Sequence, residues 1–220
     1  MPDFAWRFLR AAGGRVAARN LDLKIEGQDR IPTRGPVLLA ARHFHHLYDG
    51  CVILTSIPRP VHILVGLDWV SNPMIGRVMR FACRSARWPV VARPGAHSGV
   101  TARDAAIAFR QAANDSLDLF REGRILLVFP EGYPNIDPSY TPKRDESEFL
   151  PFQQGYLRLV KLAAREVMEV PVVPVGLEYQ RGDGDRWQVT LRFGDPVTVD
   201  DADAARDIEH QVRALSGAPR

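Results

Sequence analysis

The sequence predicts an α/β fold, a central mixed and mostly parallel sheet flanked by helices, preceded by a short N-terminal amphipathic helix. Three observations carry this. Short apolar runs of strand length alternate with helical stretches along the chain. Two of those runs, Val37 to Ala41 and Ile125 to Phe129, are apolar throughout, as buried parallel strands are. Each then stops abruptly in residues that carry chemistry, the place where open α/β sheets keep their sites. No repeat and no linker divides the chain, so residues 1–20 read as a separate helix and residues 21–220 as one domain.

Phe4 to Ala18 has Phe4, Phe8, Leu9 and Ala12 on one side and Arg7 and Arg10 elsewhere. Such a helix either lies in a membrane interface or packs on the body of the protein. Leu21 to Glu26 alternates as an exposed strand, and a Pro/Gly turn delivers the chain into Val37. Cys51 to Ile57 is a helix, Val61 to Val65 a second buried strand. Asn72-Pro73 starts a helix from Met74 to about Arg87. On it Arg77, Arg80, Arg84 and Arg87 fall within about 80° of arc, beside Met74, Val78, Phe81 and Ala82. Like charges so placed repel one another, which points to an anionic surface as their partner.

Trp88 to Arg93 is a short strand ending in arginine, turned by Pro94-Gly95 into a helix over Thr101 to Arg121. Ala106, Phe109, Leu117 and Phe120 are its expected core face, and Gly123 its cap. After the Ile125 strand, Tyr133 to Glu148 reads as a mobile polar loop and Tyr156 to Val167 as a helix. Val170 to Leu177 is a strand whose prolines suggest an edge or a bulge. Trp187 to Phe193 is a closing strand after the Gly182-Asp183-Gly184-Asp185 turn, and Asp203 to Leu215 a polar helix.

The composition, 45% hydrophobic and 25% charged, is that of a soluble globular chain. Cys51 and Cys83 are isolated, which argues for a reducing compartment without a disulfide framework. No apolar run reaches membrane-span length, and Arg7 and Arg10 interrupt the first one, a poor signal peptide. The expected location is the cytoplasm, peripheral on the cytoplasmic face of a membrane. Net charge is +3, but residues 1–110 hold 16 Lys and Arg against 7 Asp and Glu, and residues 111–220 hold 13 against 19. The first half therefore faces something anionic. Nucleic acid is a poor candidate, since the arginines lack aromatic interleaving and any reader module.

The chemistry concentrates in Arg42-His43-Phe44-His45-His46-Leu47-Tyr48-Asp49-Gly50, directly after the Val37 strand. Histidine takes and returns a proton near neutral pH, and a nearby carboxylate fixes its tautomer. The cluster reads as a general base that activates a hydroxyl. A metal site is the second functional reading, from the i, i+4 spacing of His45 and Asp49. It is disfavoured because the cysteines are isolated and no H-E-x-x-H follows.

In order, these blocks resemble the glycerolipid acyltransferase superfamily, of the lysophosphatidate (1-acylglycerol-3-phosphate) acyltransferase type. The His-to-Asp block, Trp88 to Arg93, Phe129-Pro130-Glu131-Gly132 with the later F-Q-Q-G, and V-P-V-V-P-V match its four blocks over about residues 20–200. The resemblance implies transfer of a fatty acyl group from acyl-CoA or acyl carrier protein to a lysophospholipid-type hydroxyl, in phospholipid biosynthesis or remodelling. It needs no cofactor, because the thioester brings the activation. Asp49 would orient the base, with Arg93, Phe129, Pro130, Glu131 and Gly132 on the acceptor. The family leaves four residues between His and Asp, which here would put Phe44 in the histidine's place. His43 keeps the strand-end position and is the expected base, a one-residue bulge restoring the geometry; His45 and His46 are the alternatives. Tyr133-Pro134-Asn135 also departs from the small polar residues and arginine that usually follow F-P-E-G. Rival classes are a hydrolase of acyl thioesters and a non-catalytic lipid-binding protein. The absence of G-x-S-x-G argues against a serine hydrolase.

Overall fold

The structure, a computed structural model, describes residues 3–67, 70, 72–93, 100–138, 140–166, 168–182, 184, 186–199 and 203–217. The Pro94-Gly95 turn, and Asp183 and Asp185 of the expected hairpin turn, lie outside them. Helix α1 (Asp3–Asn20) leads into β1 (Leu21–Glu26), β2 (Val37–Ala41), α2 (Tyr48–Ser56), β3 (Val61–Ile63) and β4 (Val65–Gly66). Then come α3 (Pro73–Ser85), β5 (Val90–Val91), α4 (Ala102–Arg121), β6 (Ile125–Val128) and α5 (Gly155–Ala164). The chain closes with β7 (Val172–Arg181), β8 (Trp187–Phe193) and α6 (Ala204–Leu215).

Six strands form one sheet in the order β1-β8-β7-β2-β6-β3. All neighbours are parallel except β7 and β8, which are joined as an antiparallel pair. The fold is the mixed, mostly parallel α/β sheet read from the sequence. β2 and β6 are central because both faces are covered. Val37, Leu39, Ala41, Ile125 and Leu127 pack on the side of α2, whereas Leu38, Ala40, Leu126 and Val128 pack toward α4, α5 and α6. α1 packs on α2, with the backbone at Gly13 close against Cys51. Ala17 is buried there, while Phe4 and Phe8 stay exposed.

Four expectations are corrected. The Val61 strand breaks at Leu64: β3 stays in the main sheet, and β4 leaves it to pair with β5. β7 is central rather than an edge, despite Pro174. The proline's missing N–H falls on the β8 side, opposite Gly194 just past the end of β8, whose N–H still donates to the Pro174 carbonyl at 2.8 Å, so only half of one terminal pair is given up. α4 turns Ala105, Ala112, Ala113 and Leu119 inward along with Leu117 and Phe120, and leaves Ala106 and Phe109 exposed. The stretch from Tyr133 to Glu148 is strapped down: Ile136 bridges to His45, and Asn135 and Lys143 are buried.

Candidate active site

β2 delivers the chain to its C-terminal end, where the Arg42 N–H still bonds the Val175 carbonyl at 3.1 Å. Arg42 itself is buried and spends its guanidinium on the Leu177 and Glu146 carbonyls. The next five residues leave the sheet, and α2 begins at Tyr48, which puts Asp49 in its first turn. A carboxylate there is favoured by the helix dipole.

Asp49 is fully buried and saturated with donors. Its Oδ2 accepts the Phe44 N–H at 2.7 Å, the His45 N–H at 2.9 Å and His43 Nδ1 at 2.9 Å. Its Oδ1 accepts the Tyr179 hydroxyl at 2.7 Å. Hydrogen bonds of this number offset the cost of burying a carboxylate. Asp49 Oδ2 can only accept, so His43 Nδ1 carries the proton and Nε2 of the neutral ring is left with a lone pair. The His43 side chain is 16% exposed, enough for a small group to approach.

The interval of five residues between His43 and Asp49 is taken up within the loop. Phe44, the residue at the family's histidine position, turns inward, is buried, and stacks on Tyr179 at 4.4 Å between centroids. The loop is pinned by the Ile136 N–H on the Phe44 carbonyl and the His46 N–H on the Ile136 carbonyl.

His43 is also held from the other side. Its ring stacks on Phe129 at 4.1 Å. Its N–H donates to Glu131 Oε1 at 2.9 Å, and its carbonyl accepts Lys143 Nζ at 2.9 Å. Lys143 Nζ in turn lies 2.6 Å from Glu131 Oε2, and both side chains are wholly buried. Glu131 Oε2 also accepts the Leu150 N–H. Burial pushes the Lys143 ammonium below the ordinary lysine value, and the charge of Glu131 opposes that. The sequence places this carboxylate on the acceptor; in the structure its two oxygens bond the His43 and Leu150 N–H groups and Lys143, which ties the histidine loop to F-P-E-G. Pro130 likewise works as scaffold, its carbonyl accepting the Gln153 N–H and tying F-P-E-G to F-Q-Q-G.

His45, the alternative base, meets Asp49 only through its backbone. Its Nδ1 accepts the N–H groups of Leu47 and Tyr48, and its ring stacks on Tyr48 at 3.9 Å. Burial, with His46 adding, depresses its pKa to about 4. The lone pair of the neutral ring is thus committed to the start of α2. The His46 side chain is exposed, with Nδ1 at 3.3 Å from the Ile136 carbonyl.

Arg93, two residues past β5, donates to the Gly132 carbonyl at 2.7 Å and lies over the Tyr133 ring at 3.9 Å. Gly132 has φ +77°, and a Cβ there would stand 3.0 Å from the Arg93 guanidinium. Glycine meets both conditions without strain. Of the four stripe arginines, Arg77, Arg80 and Arg84 are exposed on α3. Arg87 is not part of that stripe: it follows the helix end with φ 55° and forms a two-pronged pair with Glu122 at 2.7 Å.

Two residues of this site went unread in the sequence, Tyr179 and Lys143. Tyr179 lies 130 positions from its partner, and no local pattern marks it. For Lys143 there was a signal, one of only three lysines in a chain whose other bases are arginine.

An α/β sheet with a carboxylate-oriented histidine at the end of a central strand defines the class. The acyltransferase family model matches residues 22–178; the chain belongs to that family. Among solved structures it is similar in fold to the 1-acyl-sn-glycerophosphate (LPA) acyltransferase PlsC of Thermotoga maritima, with a TM-score of 0.65 and 17% identity. That similarity covers 97% of this chain and 78% of the other. No curated protein matches.

Proposed function

We propose that the protein moves a fatty acyl group from an acyl thioester, on coenzyme A or acyl carrier protein, to a hydroxyl of a lysophospholipid-type acceptor. The observation that carries this reading is His43 Nδ1 at 2.9 Å from a buried, donor-saturated Asp49, with Nε2 left as the ring's acceptor.

Nε2 takes the proton of the acceptor hydroxyl as its oxygen attacks the thioester carbonyl. The carbon–oxygen bond forms and a tetrahedral adduct results. As it collapses the carbon–sulfur bond breaks, and the imidazolium returns its proton to the departing sulfur. Asp49 stays ionised and stabilises the imidazolium. Arg93, at the Gly132 turn, pairs with the acceptor's phosphate. Phe129 keeps the His43 ring in place by stacking. A 1-acylglycerol 3-phosphate acceptor is supported by the likeness to PlsC. With a lipid acceptor, the work takes place at the cytoplasmic face of a membrane, in phospholipid biosynthesis or remodelling.

The test is product analysis. The protein is given a saturated acyl-CoA with lysophosphatidate, other lysophospholipids and glycerol 3-phosphate, and products are resolved by mass. Acylated product from a lysophospholipid supports the reading. Free fatty acid in place of acylated product would make the enzyme a thioester hydrolase, and no turnover with coenzyme A or carrier-protein donors would leave a non-catalytic lipid-binding protein.

A further inference from the structure

α3 contradicts the ordinary logic of a surface helix. Such a helix turns its apolar stripe to the core and its charges outward. In α3 only Gly76 and Cys83 are buried, and none of its side chains joins either core. Met74, Val78 and Phe81 are 75%, 62% and 74% exposed, and Ile75 is half exposed. At about 100° per residue, Met74, Phe81 and Val78 lie on the side opposite Cys83 and Gly76. The outermost line of the helix is therefore its apolar one. Arg77, Arg80 and Arg84 run along one flank of it.

The helix itself is well made. Pro73 sits in its first turn, and Asn72 caps it through the N–H groups of Met74 and Ile75. It is an excursion between two paired roots, β4 and β5, whose second root leads to Arg93. The chain has no acidic residue from position 69 to 103, a span that contains six arginines. Arg87 takes its counter-charge from Glu122, just past α4.

We infer that α3 is the element that docks this protein on an anionic lipid bilayer, Met74, Val78 and Phe81 entering the acyl region and Arg77, Arg80 and Arg84 pairing with lipid phosphates. The charge pattern selects this occupant: an apolar line flanked by unopposed arginines fits a surface that is apolar beneath and anionic at its rim. A second copy of α3 would set arginine against arginine. Docking there would set the β5 root, and with it Arg93, beside the bilayer. The inference deepens the reading of a lipid acceptor and rests on it only for that last step.

Vesicle flotation with the full chain tests it. Vesicles of phosphatidylcholine alone are compared with vesicles containing phosphatidylglycerol. The native protein is expected to float with the anionic vesicles and to be released by salt. Replacing three arginines by glutamine (Arg77→Gln, Arg80→Gln, Arg84→Gln) is expected to weaken that binding on the order of 100-fold. Phe81→Asp is expected to weaken it even at low salt, with circular dichroism unchanged. Binding that survives both variants but is lost in Phe4→Ser/Phe8→Ser would overturn the inference in favour of α1. A native dimer that Phe81→Asp dissociates would overturn it in favour of a protein interface. The native protein's product analysis is a separate readout. Vesicle binding without acyl transfer would leave the docking standing and remove the catalytic reading, and the converse result would do the reverse.

Discussion

Lys143→Met should cost this protein much of its stability. The ammonium and Glu131 are 2.6 Å apart with both side chains out of water. Removing the lysine leaves a carboxylate whose remaining partners are the N–H groups of His43 and Leu150. Breaking a buried pair from one side costs about 3–5 kcal/mol, against a total of about 5–15 kcal/mol for a folded domain. The assay is urea unfolding at pH 7, with the slope checked so that a change of midpoint reports stability. The double variant Glu131→Gln/Lys143→Met leaves no unpaired charge and should regain at least half of the loss, a coupling that a mutant cycle measures directly. The reasoning is refuted if Lys143→Met stays within about 1 kcal/mol of native, or if the two single losses simply add.

Three more outcomes are expected. Tyr179→Phe keeps the ring on Phe44 and removes one donor from Asp49, so kcat/KM should fall by about tenfold, the effect of one lost hydrogen bond of about 1.5 kcal/mol; an unchanged kcat/KM would show that this bond does not position Asp49. Gly132→Ala forces a positive φ on an L side chain and pushes Arg93 aside; a loss of about 1–2 kcal/mol should accompany a higher KM for a phosphate-bearing acceptor. His45 has its pKa depressed to about 4, so as pH falls the unfolded chain takes up that proton first. Its contribution to stability is complete above the ordinary value of about 6.5 and is lost toward pH 4. His62, whose buried Nε2 has no partner among the described residues, acts in the same direction. His45→Asn should flatten that slope in acid unfolding curves.

The sequence made the sheet legible where burial is complete on both faces, as in β2 and β6, because such strands leave no ambiguity of side. It marked the histidine loop and F-P-E-G for the same reason: polar groups directly after an all-apolar run stand out. It did not separate a helix with an inward apolar line from one with an outward line, since the periodicity of α3 is the same in both cases. It placed Val170 to Leu177 at an edge from its prolines, whereas the position of Pro174 past the end of β8 depends on where another strand stops. Tyr133 to Glu148 looked loose because its order comes from Lys143 and Ile136 reaching back to residues some 90 to 100 positions earlier, and from Asn135 tying the segment to itself through the Asp145 and Glu148 carbonyls. Glu131 was read by its motif as an acceptor ligand, and its bonds to His43, Lys143 and Leu150 exist only in the folded chain.

Whether His43 is the base is decided by acceptor-dependent release of free thiol from acyl-CoA. It is measured with the native protein, His43→Ala and His45→Ala, all confirmed to be folded. A loss of about 10²–10⁴-fold is expected in His43→Ala, the usual contribution of a positioned base, and a much smaller loss in His45→Ala. Full activity in His43→Ala, with the loss moved to His45→Ala, would contradict that assignment.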